Sequence, residues 1–175
     1  MKLVGKYSIA SALRWFLGFI NVFVMLGALA SGLALIASLV FPSFGAGLID
    51  GLRGASADPE STFEITGRLT LLGAFLACAL TWWVINRLRA ILLSVNRGDA
   101  FEFANVKRLQ AVGLGLLGIQ LTAMMLAVVA PQSIGQSPTD YEFSLGSWLG
   151  ILVVFILAEV FRQGSAMRDE QLTTV

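Results

Sequence analysis

Glu159 and Arg162 stand three residues apart at the end of an otherwise apolar stretch, which makes them the first candidates for chemistry. An ionisable residue inside a membrane helix commonly marks a proton or ion path. The same spacing puts the two side chains on one helical face, where they neutralise each other. Arg87 and Arg89 are expected at similar depth on a neighbouring helix. A structural ion pair is the plainer expectation and the favoured one. Beyond this pair the inventory is thin. The chain has no histidine and a single cysteine, Cys78. The commonest general base and the commonest transition-metal ligand are therefore both missing. Carboxylate-only chemistry stays open, but no two carboxylates share an apolar run. No catalytic residue, cofactor site or metal site is expected. Asn21 and Gln120 are polar residues within apolar runs, about 9 Å and about 16 Å from the basic ends of their helices. The difference in depth argues against their being partners, and helix-to-helix glue is the expected role.

The elements that carry these residues are long and apolar. Hydrophobic residues make up 57% of the 175, charged residues 13%, and net charge is +1. A soluble domain carries roughly twice that charged fraction. A bilayer core of ~30 Å takes about 20 apolar helical residues. Four stretches meet that length, at about 15–41, 69–86, 109–130 and 143–161. The runs are continuous, so helices are predicted rather than barrel strands. The helical pattern of the second continues through Arg87 and Arg89 toward Asn96. The expected fold is all-α: one membrane domain over 1–175, four transmembrane helices in a bundle. Trp15, Trp82, Trp83, Tyr141 and Trp148 fall near the predicted interfaces. Small-residue pairs at Gly73 and Ala77, Ala111 and Gly115, and Gly146 and Gly150 are candidate helix contacts.

Lysine and arginine set the orientation. Ten of the twelve lie in the N-terminal tail, the inner loop 87–108 and the C-terminal tail, against Arg53 and Arg68 on the other side. Both termini are therefore expected in the cytoplasm, with 42–67 and 131–142 as outer loops. A small-residue site at Ala28-Leu29-Ala30 resembles a signal-peptide cleavage site, but the apolar run continues past it to Phe41. An uncleaved first span is the expectation.

The inner loop carries the turn signal Arg97-Gly98-Asp99. Phe101 and Phe103 alternate with polar residues after it, forming a patch for the membrane interface or a partner. Asp99 or Asn105 is placed to cap the third helix, although Lys107 and Arg108 oppose the helix dipole there. The basic cluster suits anionic headgroups as well as topology. In the tail, Gly164 is a candidate helix end, and the polar residues beyond it are a candidate docking peptide.

Two segments, LLSVNRGDAFEFANVKRLQAVG and LAEVFRQGSAMRDEQLTTV, resemble a bacterial family of four-helix membrane proteins described as domain of unknown function 2975. Its inner-loop pattern falls on Gly98, Phe101, Asn105, Arg108, Leu109 and Gly113. Its C-terminal pattern falls on Glu159, Phe161, Arg162, Gly164, Arg168, Asp169, Glu170 and Leu172. The extra threonine in Thr173-Thr174 departs from it. The resemblance implies no established activity. It implies a bacterial cytoplasmic membrane and a companionship with small helix-turn-helix regulators.

Three functions follow as expectations. The first is a non-enzymatic membrane regulator that docks a small cytoplasmic DNA-binding protein through Arg97, Gly98, Phe101, Asn105, Arg108, Glu159, Phe161, Arg162 and Gly164, without touching nucleic acid itself. The second is a small transporter or channel subunit that uses Glu159. The third is an assembly protein that forms homo-oligomers through its glycine faces. Lipid is a partner in all three.

Overall fold

The computed structural model describes residues 9–41, 63–99, 101–129 and 144–173. Among them there are four helices and no strand: α1 (Ile9–Val40), α2 (Phe63–Asn96), α3 (Phe103–Val129) and α4 (Leu145–Thr173). All four are long and apolar enough to cross a membrane. Helix is the physical outcome because a spanning segment must satisfy every backbone N–H and C=O internally. The sides of these helices remain largely uncovered by protein. Within the most apolar stretch of α1 only 6% is buried, and 11% in α4. Leu13, Trp15, Phe16, Phe19, Phe23 and Leu26 are all exposed on α1. Apolar surface of that extent is suited to lipid rather than water.

The helices continue beyond the apolar runs. At 1.5 Å per residue the 29 residues of α4 span about 44 Å, more than the ~30 Å hydrocarbon core. Gly164, expected as a helix end, lies inside α4, which runs on to Thr173. A glycine ends a helix when it adopts positive φ, and among the described residues the glycine that does so is Gly98, with φ of 85°. The predicted start of the fourth span at Phe143, the ends of the tails, the outer loop 131–142 and residues 42–62 of the other lie outside the described residues, while 63–67, expected as loop, are the start of α2.

The chain divides into two compact units. The first takes Met1–Phe23, Leu80–Leu117 and Ser144–Val175; the second takes Val24–Ala79 and Gly118–Phe143. In the second unit α1 and α2 run antiparallel. A Cβ on Gly27 would lie 3.4 Å from Cys78 Sγ, and one on Gly32 would lie 3.2 Å from the Phe75 ring. Arg68 Nη2 donates to the Ser38 carbonyl at 3.4 Å, and Ser38 itself is fully buried. Gly73 of α2 meets Leu126 of α3 with no room for a Cβ.

In the first unit Asn21 Nδ2 donates to Asn86 Oδ1 at 3.2 Å. The partner of Asn21 is thus a residue at the edge of the predicted second span, not Gln120. Gly115 packs directly on Val84, and Phe155 of α4 lies over Gly113 of α3, 3.0 Å from a Cβ built there. Gly146 and Gly150, by contrast, are not at a contact. Nothing lies within 4 Å of a Cβ on Gly150, and Gly146 meets only its neighbour Ser144 at 3.9 Å. Of the three predicted small-residue pairs, two supply a close helix approach and the third faces outward.

Candidate functional site: the α2–α3 turn and the end of α4

The turn between α2 and α3 is built by its own sequence. The Gly98 N–H donates to the Val95 carbonyl at 3.0 Å, and the Asp99 N–H donates to the Ser94 carbonyl at 3.1 Å. This pair of bonds is the Schellman closure of a helix, and it needs positive φ at Gly98, which costs a residue with a Cβ roughly 1–2 kcal/mol. An apolar contact usually seals such an end. Here the seal is polar: Ser94 Oγ donates to the Asp99 carbonyl at 2.6 Å.

Asn105 locks this closure to α3. Its Nδ2 donates to Ser94 Oγ at 2.5 Å and lies 3.5 Å from the Asp99 carbonyl. Its Oδ1 accepts from Arg108 Nη1 at 2.8 Å, and Arg108 also pairs with Glu102 at 3.5 Å. The residue is fully buried. Neither Asp99 nor Asn105 caps α3 as expected. The helix begins at Phe103, and the Asn105 N–H is already satisfied by the Glu102 carbonyl at 2.8 Å. Asn105 is a bracket within the first turn, its side chain aimed back at the end of α2.

A second set of contacts joins the turn to α4. The Asp99 carboxylate pairs with Arg168. The Phe101 and Phe161 rings lie with centroids 5.3 Å apart. A Cβ on Gly164 would come within 2.7 Å of Phe101 Cδ1, so the ring rests on bare α4 backbone. Phe161, Gly164 and Arg168 recur at helical spacing, and together with buried Ala158 and Ser165 they form one stripe along α4.

Six of the nine expected residues therefore come together here: Gly98, Phe101, Asn105, Arg108, Phe161 and Gly164. Glu159 and Arg162 do not join them. Arg162 Nε donates to Glu159 Oε2 at 2.8 Å and Nη2 donates to Oε1 at 2.5 Å, with Gln163 Nε2 3.2 Å from Oε1. This bidentate pair lies on an exposed face of α4. Arg87 and Arg89 take no part in it: Arg87 sits 5.3 Å above the Trp83 ring, and Arg89 packs on Gly18. Arg97 is exposed beside the turn.

Three residues of the site, Ser94, Asp99 and Arg168, do work that spacing alone did not assign to them. A serine four residues before the turn glycine is a signal for a polar closure. Arg168, seven residues after Phe161, continues its helical face. Among the described residues no group of three His, Cys, Asp or Glu is placed to hold a metal ion. The arrangement holds segments together and presents a surface; it carries no nucleophile with an adjacent base.

No curated protein and no solved structure matches this chain. A family model does, over nearly every residue and including both segments of the site. The chain belongs to the family described as Protein of unknown function (DUF2975), whose model matches residues 2–175.

Proposed function

We propose that this is a non-enzymatic protein of the bacterial cytoplasmic membrane, crossing it four times with both termini inside, that docks a small cytoplasmic helix-turn-helix regulator. The observation that supports this best is the joining of the turn to the end of α4, through Asp99–Arg168 and Phe101–Phe161. Two segments distant in sequence become one surface, on the side that the lysine and arginine bias places in the cytoplasm. Around it Arg97, Phe103 and Lys107 are exposed, with Lys107 Nζ 5.5 Å from the Phe103 ring. Exposed aromatic and cationic side chains of this kind are frequent anchors of protein interfaces.

Arg97 is the cleanest residue to test, since its side chain is exposed and the turn closes through backbone bonds. The protein is cross-linked in its native membrane, purified, and its companions identified by mass spectrometry. A small DNA-binding regulator is expected with the wild type. Its recovery is expected to fall about tenfold in Arg97→Ala, the effect of one well-placed anchor worth ~1.4 kcal/mol, with insertion unchanged. Equal recovery from both would remove this surface as the docking site.

The transport reading draws less support. Both oxygens of Glu159 are held by Arg162 and Gln163 on its own helix, which suits a structural pair. The assembly reading draws on the open space beside Gly146 and Gly150.

A further inference from the structure

Carboxylates are unevenly shared within the first unit. The arginines of α3 and α4 each have one: Arg108 pairs with Glu102, Arg162 with Glu159 and Arg168 with Asp99. The arginines of α1 and α2 in that unit, Arg14, Arg87 and Arg89, have no carboxylate among the described residues. Arg87 is compensated by the face of Trp83. Arg89 has no such partner. Its guanidinium lies in the seam between α1 and α2, with Nη2, Cζ and Nε at 3.5, 3.6 and 3.8 Å from the place where a Cβ on Gly18 would be. Nε is shut off from solvent and has no acceptor among the described residues. The Nε–Nη2 edge is closed off by α1, so an anion that offsets this charge at membrane depth has to meet the guanidinium from its Nη1–Nη2 end.

The depth identifies the anion. Arg89 precedes the end of α2 at Asn96 by seven residues, about 10 Å along the axis. The guanidinium lies beside Gly18, a similar distance inside α1, where a lipid phosphate can be drawn down to an arginine. Arg14 lies one turn before Gly18 on α1, in the direction of the same helix ends, and adds a second cation. Asn21 Oδ1 lies deeper in the seam and also lacks a partner, but it is an acceptor and turns an anion away. The site therefore ends at Arg89.

We propose that the α1–α2 seam at Gly18, Arg14 and Arg89 seats the phosphate of an anionic phospholipid. Guanidinium suits phosphate because its planar fork donates two parallel hydrogen bonds. This inference does not rest on the docking of a regulator.

The test uses the full chain in nanodiscs of phosphatidylcholine containing a minority of phosphatidylglycerol, followed by native mass spectrometry of the lipid retained on release. Wild type is expected to retain phosphatidylglycerol. Arg89→Gln is expected to lower retention about tenfold, the loss of a charge-assisted bidentate bond, and Arg14→Gln to lower it less. Arg87→Gln, on the Trp83 face, is expected to leave it unchanged. Should Arg89→Gln fail to insert, Arg89→Lys, which keeps the charge without the fork, is expected to give intermediate retention. Retention by Arg89→Gln or Arg89→Lys equal to wild type overturns the site. So does an equal loss in Arg87→Gln, which would mean general attraction to a basic surface. Displacement of the lipid by millimolar inorganic phosphate in detergent would overturn the assignment to lipid and leave a site for soluble phosphate.

Discussion

Asn105→Ala is expected to cost about 2–3 kcal/mol of bundle stability, read as a lower midpoint when the protein is unfolded by denaturant in mixed micelles. The substitution removes the donor to Ser94 Oγ and the acceptor for Arg108 together. It also leaves an unfilled space, because Asn105 is fully buried. Ser94 keeps its own bond to the Asp99 carbonyl, so the backbone closure at Gly98 survives while its link to α3 is lost. Asn21→Ala is the control. Asn21 makes one bond of 3.2 Å, and its oxygen is already unmet. A polar bond between membrane helices contributes about 0.6 kcal/mol on average. Removing an unmet buried oxygen returns part of that. If the two variants lose the same stability, Asn105 is not the bracket described above.

The second large effect belongs to glycine. Gly115→Ala is expected to destabilise by about 1–3 kcal/mol, the usual cost of overpacking. Alanine is the better helix former, by roughly 0.5–1 kcal/mol, so two effects oppose each other. The clash wins because the atom in the way is Val84 Cγ2. Val84 is 5% exposed, and a β-branched side chain is stiff at χ1. Gly150→Ala has no clash to set against its propensity and is expected to leave stability unchanged or raised by up to about 1 kcal/mol. The same unfolding titration reads both. Destabilisation of Gly150→Ala to the level of Gly115→Ala would show that Gly150 is packed against something.

These variants mark where the sequence was legible. Continuous apolar runs fix helix existence, because lipid leaves the backbone no alternative, and all four helices are found. The turn at Gly98 and the continuation of α2 to Asn96 were legible for a similar reason, since both are local. The pairing of Glu159 with Arg162 needed only helical spacing. Contacts between helices were not legible. Gly164 carried a helix-stop signal, yet its use is to let Phe101 lie on α4, and nothing near it in sequence announces a ring from sixty residues away. Asn105 looked like a cap because capping rules are local, while the partner of its amide nitrogen, Ser94, belongs to the preceding helix. Gly146 and Gly150 have the same spacing as pairs that do pack, and spacing alone does not say which face meets a neighbour. Asn86 stood at the edge of a predicted span and so was not matched with Asn21.

The joined surface of the turn and α4 stands or falls with Gly164→Ala. The added methyl displaces the Phe101 ring from α4, an inexpensive shift because that ring is 46% exposed, and it leaves Arg97 untouched. Gly150→Ala on the same helix controls for the change of residue type. The measurement is recovery of the proposed cytoplasmic regulator after cross-linking in the native membrane. The expected result is recovery reduced several-fold in Gly164→Ala and unchanged in Gly150→Ala, with equal membrane insertion of both. Full recovery from Gly164→Ala, or no regulator recovered from the wild type, would contradict a docking surface formed by these two segments.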